Sequence, residues 1–274
     1  MTIHTALLQG REILEKAQVA EPRLTAEVLL AHAVRCERAW LFAHSTDELQ
    51  EVWWIHFGRY LHERIQGRPT QYITGRQEFY GREFRVTPDV LIPRPETEHV
   101  IDAALARWGE SCRCVDIGTG SGAIAATLAV ERNTRVTATD VSIAALRVAA
   151  RNIAALEAPV TLVACDLAAA LRERSFDLVV SNSPYVPSGD RQALQREVRD
   201  FEPEVALFGG PDGLDVYRRL IPEAARILRP GGWLVLEIGF GLGDTVSALL
   251  DGWSNIEVRP DLAGLPRVVM ACRP

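Results

Sequence analysis

Past Glu96 the chain alternates short apolar runs with longer helical stretches, and this alternation constrains the fold more than any other feature. Runs near residues 113–117, 135–139, 160–164 and 176–181 read as strands, followed by others near 233–238, 255–259 and 267–272. Helical patterns fill 96–108, 121–131, 142–156 and 214–228, with Ser142 suited to an N-cap and Pro230-Gly231-Gly232 to a helix end turning into a strand. Strands separated by helices pair in parallel, because a crossover helix is what returns the chain to the same end of the sheet. The pattern predicts an α/β domain over residues 96–274 with a doubly wound, mostly parallel seven-stranded sheet. No full helix separates the last two strands, so an antiparallel strand is expected near one edge.

Two other segments precede this region. Residues 1–68 read as a small helical bundle: Leu24, Val28 and Ala31 recur at helical spacing behind Pro22, and Trp53, Trp54, Phe57 and Tyr60 form an aromatic stripe in a helix over 52–66. Such a stripe is read as core. Residues 69–95 are punctuated by proline and glycine yet keep Tyr72, Ile73, Phe79, Tyr80 and Phe84, which fits an ordered connecting segment containing a hairpin rather than a disordered linker.

Bulk properties exclude several functions. The net charge of −6 and the scattered arginines argue against broad phosphate-backbone binding, so no direct nucleic-acid partner is expected. No apolar stretch has the length of a bilayer span, and Met1-Thr2-Ile3-His4 lacks the basic and apolar regions of a signal peptide. A soluble cytoplasmic protein without a membrane partner is expected. The five cysteines lack metal-type spacing and read as reduced thiols, and the six histidines form no cluster, so no metal is expected.

Two motifs carry chemistry. The first runs through Asp116, Gly118, Thr119, Gly120, Ser121 and Gly122, a strand end and a glycine turn that opens a helix. Glycines there allow close backbone approach, and the helix N-terminus offers unpaired N–H groups. Asp140 ends the next strand, placed to accept both hydroxyls of a ribose. A nucleoside-containing cofactor follows. Gly118-x-Gly120-x-x-Ala123 would also pass as a dinucleotide fingerprint, but acidic Asp116 before the glycines suits a cationic cofactor without phosphate, S-adenosyl-L-methionine, over NAD. Asp166, followed by Leu167 at the end of the third strand, is placed either to hydrogen-bond the adenine amine or to cap a helix. The second motif is Asn182-Ser183-Pro184-Tyr185, directly after the fourth strand. A side-chain amide, a proline-stiffened turn and an aromatic ring make a clamp for a planar, nearly neutral group such as a carboxamide or the exocyclic amine of a base.

With these motifs in place the chain resembles the class I S-adenosylmethionine-dependent methyltransferases, whose sheet is Rossmann-like, and within them the HemK/PrmC family. The resemblance spans nearly the whole chain, through Pro69–Gly75, Leu91-Ile92-Pro93-Arg94-Pro95-Glu96-Thr97-Glu98, Asp116–Gly122, Phe201-Glu202-Pro203, Gly209–Asp215 and Asp261-Leu262-Ala263-Gly264. It implies methylation of the side-chain amide nitrogen of the glutamine in the Gly-Gly-Gln motif of peptide chain release factors, with the helical segment helping to dock them. It implies that the Asn182 side chain and the backbone carbonyl of residue 183 hold the amide, and that Tyr185 stacks on it. The family has proline where this chain has Ser183, so the acceptor carbonyl is kept while a ring that fixes the backbone is lost. Arg94 and Glu96 either close over the methionine end of the cofactor or fix the linker through an ion pair. Two rivals share these motifs: an adenine-N6 or other nucleic-acid amino methyltransferase, disfavoured by the acidic balance, and a non-catalytic cofactor-binding partner of translation factors.

Overall fold

The computed structural model describes residues 1–274, which divide into two compact units. The first comprises Met1–Arg76 and Gln195–Phe201. It is built from α1 (Ile3–Lys16), α2 (Pro22–Val34), α3 (Arg38–Ala43), α4 (Glu51–Ile65) and α5 (Thr70–Thr74), with the later α9 (Arg196–Phe201). Thr2 caps α1 by accepting from the Thr5 N–H, and Pro22 opens α2 as expected of a first-turn proline. Phe57 is fully buried among Leu14, Leu29, Leu30 and Leu61, while Trp53, Trp54 and Tyr60 cover its flank, so the aromatic stripe is core. The stripe on α2 differs from its sequence reading. Ala31 is buried as its spacing suggests, but Leu24 is exposed, and Ala26, Leu29, Leu30 and Ala33 are buried as well. This helix is apolar on most sides, and its buried Glu27 is satisfied by Arg23 and Arg38, so spacing alone does not select a face. Thr70–Thr74, within the expected connecting segment, forms a helix of this unit that ends at Gly75 in a left-handed conformation.

The second unit comprises Gln77–Leu194 and Glu202–Pro274. A two-stranded sheet of β1 (Arg76–Phe79) and β2 (Arg82–Arg85) turns through Tyr80 and Gly81, both at positive φ. The main sheet contains β3 (Cys114–Ile117), β4 (Val136–Asp140), β5 (Val160–Ala164), β6 (Phe176–Ser181), β7 (Leu228–Glu237), β8 (Ser254–Pro260) and β9 (Pro266–Cys272). Its order is β5-β4-β3-β6-β7-β9-β8. Pairings from β5 to β7 are parallel, and β9 runs antiparallel to both β7 and β8. The expected antiparallel strand is therefore β9, one place in from the edge. β7 begins at Leu228 rather than near 233, because Pro230-Gly231-Gly232 forms an irregularity inside the strand where its register with β6 shifts.

Helices α6 (Glu98–Ala106), α7 (Ala123–Arg132) and α8 (Ile143–Ala155), with α10 (Asp215–Ile227) and α11 (Gly243–Ala248), flank this sheet. Alternate strand residues feed opposite cores. Cys114, Leu178, Val180, Val235 and Met270 pack with Ile101 of α6 and Ile124 and Leu128 of α7. Val115, Ile117, Val179, Leu234 and Leu236 pack with Tyr217, Leu220 and Ala224 of α10 and Val246 of α11. Both faces of the sheet are covered, which is why its central strands read as continuous apolar runs. The chain leaves β3 toward β4 on one side, while β6 lies on the other, so the carboxyl ends of β3 and β6 frame the switch point where such sheets bind ligands.

Candidate active site

The glycine turn rises from the end of β3. Gly118, Gly120 and Gly122 all take positive φ, at 75°, 55° and 82°. A Cβ on Gly118 or Gly120 would meet no atom within 4 Å, so that side of the turn is open, whereas one on Gly122 would lie 3.2 Å from the Ala149 Cβ of α8. The turn is held from two sides. Asp140 Oδ2 accepts from the Gly120 N–H at 2.8 Å, and its Oδ1 accepts from the Ser142 N–H at 2.8 Å. Ser142 in turn caps α8 by accepting from the Ala145 N–H. Asn152 Nδ2 donates to the carbonyls of Ser121 and Arg85, and its Oδ1 accepts from the Arg85 N–H, tying the β2 hairpin to the turn.

Asp116 lies beneath this turn, fully buried, and does not line the cavity above it. Its Oδ2 accepts from Thr119 Oγ1 at 2.6 Å and from the Ala125 N–H at 3.2 Å, while Oδ1 has no partner. Burial pushes its pKa up to about 7 against the pull of those two hydrogen bonds. The carboxylate braces the loop from below, so the electrostatic case for a cationic cofactor has to come from other residues.

Asn182-Ser183-Pro184-Tyr185 follows β6 at the same end of the sheet. Asn182 Nδ2 donates to Thr97 Oγ1 at 3.0 Å, leaving Oδ1 as the accepting end of the amide. Ser183 is buried, and its Oγ pairs at 2.7 Å with that of Ser181, which donates to the Ile117 carbonyl at 2.6 Å. The loop 207–213 fixes the backbone beyond: the Val186 N–H donates to Leu207 O, and the Gly209 N–H donates to Val186 O, both at 2.9 Å. A Cβ at Gly209 would fall 2.6 Å from the Pro184 carbonyl, and one at Gly239 would fall 2.7 Å from Cδ2 of Tyr185. These glycines let the neighbouring backbones close on the turn. Burial and the nearby Glu237 push the Tyr185 phenol up to about 12.

One cavity joins these parts. Gly118, Thr119, Gly120, Ser121, Asp140, Asn182 and Pro184 line it, together with Asp89, Thr97 and apolar Val90, Leu91 and Ile124. The lining includes two carboxylates and no lysine, arginine or histidine. That composition repels phosphate and suits a cation. Asp166 and Leu167 are not brought to this cavity: exposed Asp166 pairs with Arg219 of α10, and both residues line a separate shallow depression. Asp166 does not cap an α-helix either, since only turns run from it to β6. Arg94 pairs with buried Glu202 at 2.5 Å, which favours its reading as a linker-fixing ion pair.

The sequence reading missed Asp89, Thr97 and Glu237. Thr97 Oγ1 donates to Glu237 Oε2 at 2.6 Å, and the Tyr185 hydroxyl donates to Glu237 Oε1 at 3.5 Å. Thr97 lies in the Leu91–Glu98 stretch, and Glu237 is an acid ending a wholly apolar strand segment. That second signal marks a strand-end carboxylate as clearly as Asp140 does.

Comparisons with known proteins accord with this geometry. A family model described as PrmC N-terminal domain matches residues 5–75, and one described as methyltransferase small domain matches residues 99–199. Among solved structures, a methyltransferase from Pyrococcus furiosus aligns at TM-score 0.54 and 22% identity, covering 71% of this chain and 90% of that one. The 16S rRNA N2 G1207 methyltransferase of T. thermophilus, solved with AdoMet and guanosine, aligns at TM-score 0.54 and 21% identity over 73% of this chain and 50% of its own. Both share the fold. The proteins named release factor glutamine methyltransferase from Koribacter versatilis and Moorella thermoacetica are each 46% identical to this chain, over its whole length and 99% of theirs. With identity of that level from end to end, the chain belongs to the release factor glutamine methyltransferase family.

Proposed function

We propose that this protein transfers a methyl group from S-adenosyl-L-methionine to the side-chain amide nitrogen of the glutamine in the Gly-Gly-Gln motif of peptide chain release factors, in the cytoplasm. The observation that carries this reading is the juxtaposition, in one cavity, of a glycine turn with Asp140 and an Asn182 amide whose Nδ2 is already engaged. The residues fit the cofactor. Gly118 and Gly120 give an open cradle, Asp140 is placed for the ribose, and Asp89 with Asp140 supplies negative charge toward a cation. No cation lines the cavity to meet a dinucleotide's pyrophosphate.

When bound, S-adenosylmethionine supplies an electrophilic methyl group on a sulfonium. The protein's own task is positioning. A carboxamide nitrogen is a poor nucleophile, since its lone pair is delocalised into the carbonyl. Asn182 Oδ1 and the Ser183 carbonyl would each accept one N–H of the substrate amide and so fix the orientation of its nitrogen. Both hydrogen bonds would strengthen as positive charge grows on that nitrogen during methylation, so the clamp would favour the transition state over the ground state. The amide proton then leaves to water. Tyr185, wedged against Gly239, stacks on the amide plane. We assign the helical unit to docking of the release factor, in line with its match to the PrmC N-terminal domain.

Methyl transfer measured in parallel on release factor, DNA and RNA tests this assignment. Label is expected on the release factor alone, and Asn182→Ala is expected to lower turnover by at least about 100-fold with cofactor affinity nearly unchanged. Label on nucleic acid but not on release factor would favour an amino methyltransferase of bases. Cofactor affinity without turnover would favour a binding partner of translation factors.

A further inference from the structure

An asparagine amide is a useful clamp only when its oxygen, not its nitrogen, faces the substrate N–H. The two ends are nearly the same size, so shape alone selects weakly between them. In this protein a hydrogen-bond relay makes the selection. Asn182 Nδ2 donates to Thr97 Oγ1 at 3.0 Å, and Thr97 Oγ1 donates to Glu237 Oε2 at 2.6 Å. A carboxylate only accepts, so it draws the threonine proton toward itself and leaves the hydroxyl oxygen as an acceptor. An acceptor at that point binds Nδ2 and rejects Oδ1.

Each member is held in turn. Thr97 is 4% exposed and closes the 3₁₀ turn Pro95–Thr97. Glu237 is 1% exposed at the carboxyl end of β7, where its carbonyl accepts from the Tyr217 hydroxyl at 2.7 Å. The Tyr185 hydroxyl, from the catalytic turn itself, donates to its other carboxylate oxygen.

We propose that Thr97 and Glu237 are positioning residues for methyl transfer: together they fix the polarity of the Asn182 amide so that Oδ1 faces the substrate. The proposal rests on Asn182 being the amide clamp, and it adds two residues from separate elements that touch neither reacting atom. Protonating Glu237 reverses the relay, because its O–H then donates to Thr97 and the threonine no longer presents a committed acceptor. Burial pushes the Glu237 pKa up to about 7, with Thr97 and Arg267 pulling it down, Glu96 pushing it up and Tyr185 pulling it down. Tyr217 also faces it from α10.

The experiment is steady-state methyl transfer to a release factor by the full chain and its variants, with cofactor affinity measured separately by calorimetry. Thr97→Val keeps the shape and removes the acceptor, leaving Nδ2 without its protein partner in the productive orientation, so kcat is expected to fall by about tenfold or more. Cofactor Kd should stay within about threefold, since the relay acts on the clamp and not on the cradle. Thr97→Ser, which restores the hydroxyl, should recover most of kcat. In the native protein kcat should decline as pH falls through about 7. Glu237→Gln, which does not titrate, should lose that acid limb. Native kcat in Thr97→Val, alongside loss of turnover in Asn182→Ala, would overturn the relay while sparing the clamp. Near-native turnover in Asn182→Ala would instead overturn the clamp reading itself. Should Thr97→Val fail to fold, an acid limb persisting in Glu237→Gln overturns the relay on its own.

Discussion

The resemblance puts a proline where this chain has Ser183, and in the structure the serine side chain is tethered rather than free. Its hydroxyl pairs with that of Ser181, which is anchored on the Ile117 carbonyl at the base of the glycine turn. The tether is a buried hydrogen-bonded pair, worth about 1 kcal/mol, whereas a proline ring restricts the backbone before binding as well as during it. Ser183→Pro is therefore expected to keep kcat within about threefold of native, whereas Ser183→Ala, which removes the tether and adds no ring, should lose about three- to tenfold. Steady-state kinetics on both variants checks this ordering, and a large loss in Ser183→Pro with folding intact would show that the turn needs its hydroxyl more than its stiffness. The sequence revealed the substitution but not the compensation, because Ser181 reads simply as the last strand residue. Thr97 was hidden for a related reason: its role depends on Glu237, 140 residues away in the chain.

At the scale of elements, periodicity carried most of the architecture. Most helices and strands after Glu96 fall within a few residues of the expected ones, since a sheet covered on both faces turns burial directly into sequence pattern, whereas no pattern marks the short helices α9 and α11. The exceptions have local causes. Pro230-Gly231-Gly232 looks like a stop signal and is instead taken up inside β7 as a register shift, while α2 is apolar on too many sides for spacing to choose its buried face. Asp140 and Asp166 both follow strand ends, yet Asp140 accepts from the loop amides while exposed Asp166 pairs with Arg219. The glycine turn offers a direct test of element packing. Gly122 combines a φ of 82° with an added Cβ 3.2 Å from Ala149. Gly122→Ala should destabilise the protein by about 1–2 kcal/mol from the backbone conformation alone, with the contact to α8 adding to it. Denaturant unfolding measures the loss, and an unchanged midpoint would show that α8 yields freely.

Across the whole molecule, charge separates two kinds of acid. Buried Glu27 and Glu202 pair with arginines, whereas Asp116 and Glu237 sit buried on either side of the switch point without an arginine ion pair, their pKa values pushed up to about 7. A folded pKa above the unfolded value means that the unfolded chain ionises first as pH rises. Asp116 thus costs no stability below the ordinary aspartate value of 3.8, costs progressively more up to about pH 7, and a constant amount beyond. Asp116→Asn, whose amide oxygen still accepts from Thr119 and Ala125, should gain in Tm relative to native as pH rises from 4 to 7. A Tm difference that stays flat over this window would place the ionised carboxylate in a better-solvated site than the structure gives it. At the cavity itself a different pair of acids, Asp89 and Asp140, lines the wall without a lysine or arginine, a charge that suits a cation over a polyanion. Tandem mass spectrometry of a release factor, after incubation with the protein and S-adenosylmethionine, tests whether this cavity methylates a glutamine amide nitrogen. One added methyl group on the side-chain nitrogen of the Gly-Gly-Gln glutamine is expected; an unmodified glutamine, or a methyl group on any other residue, would overturn the proposed function.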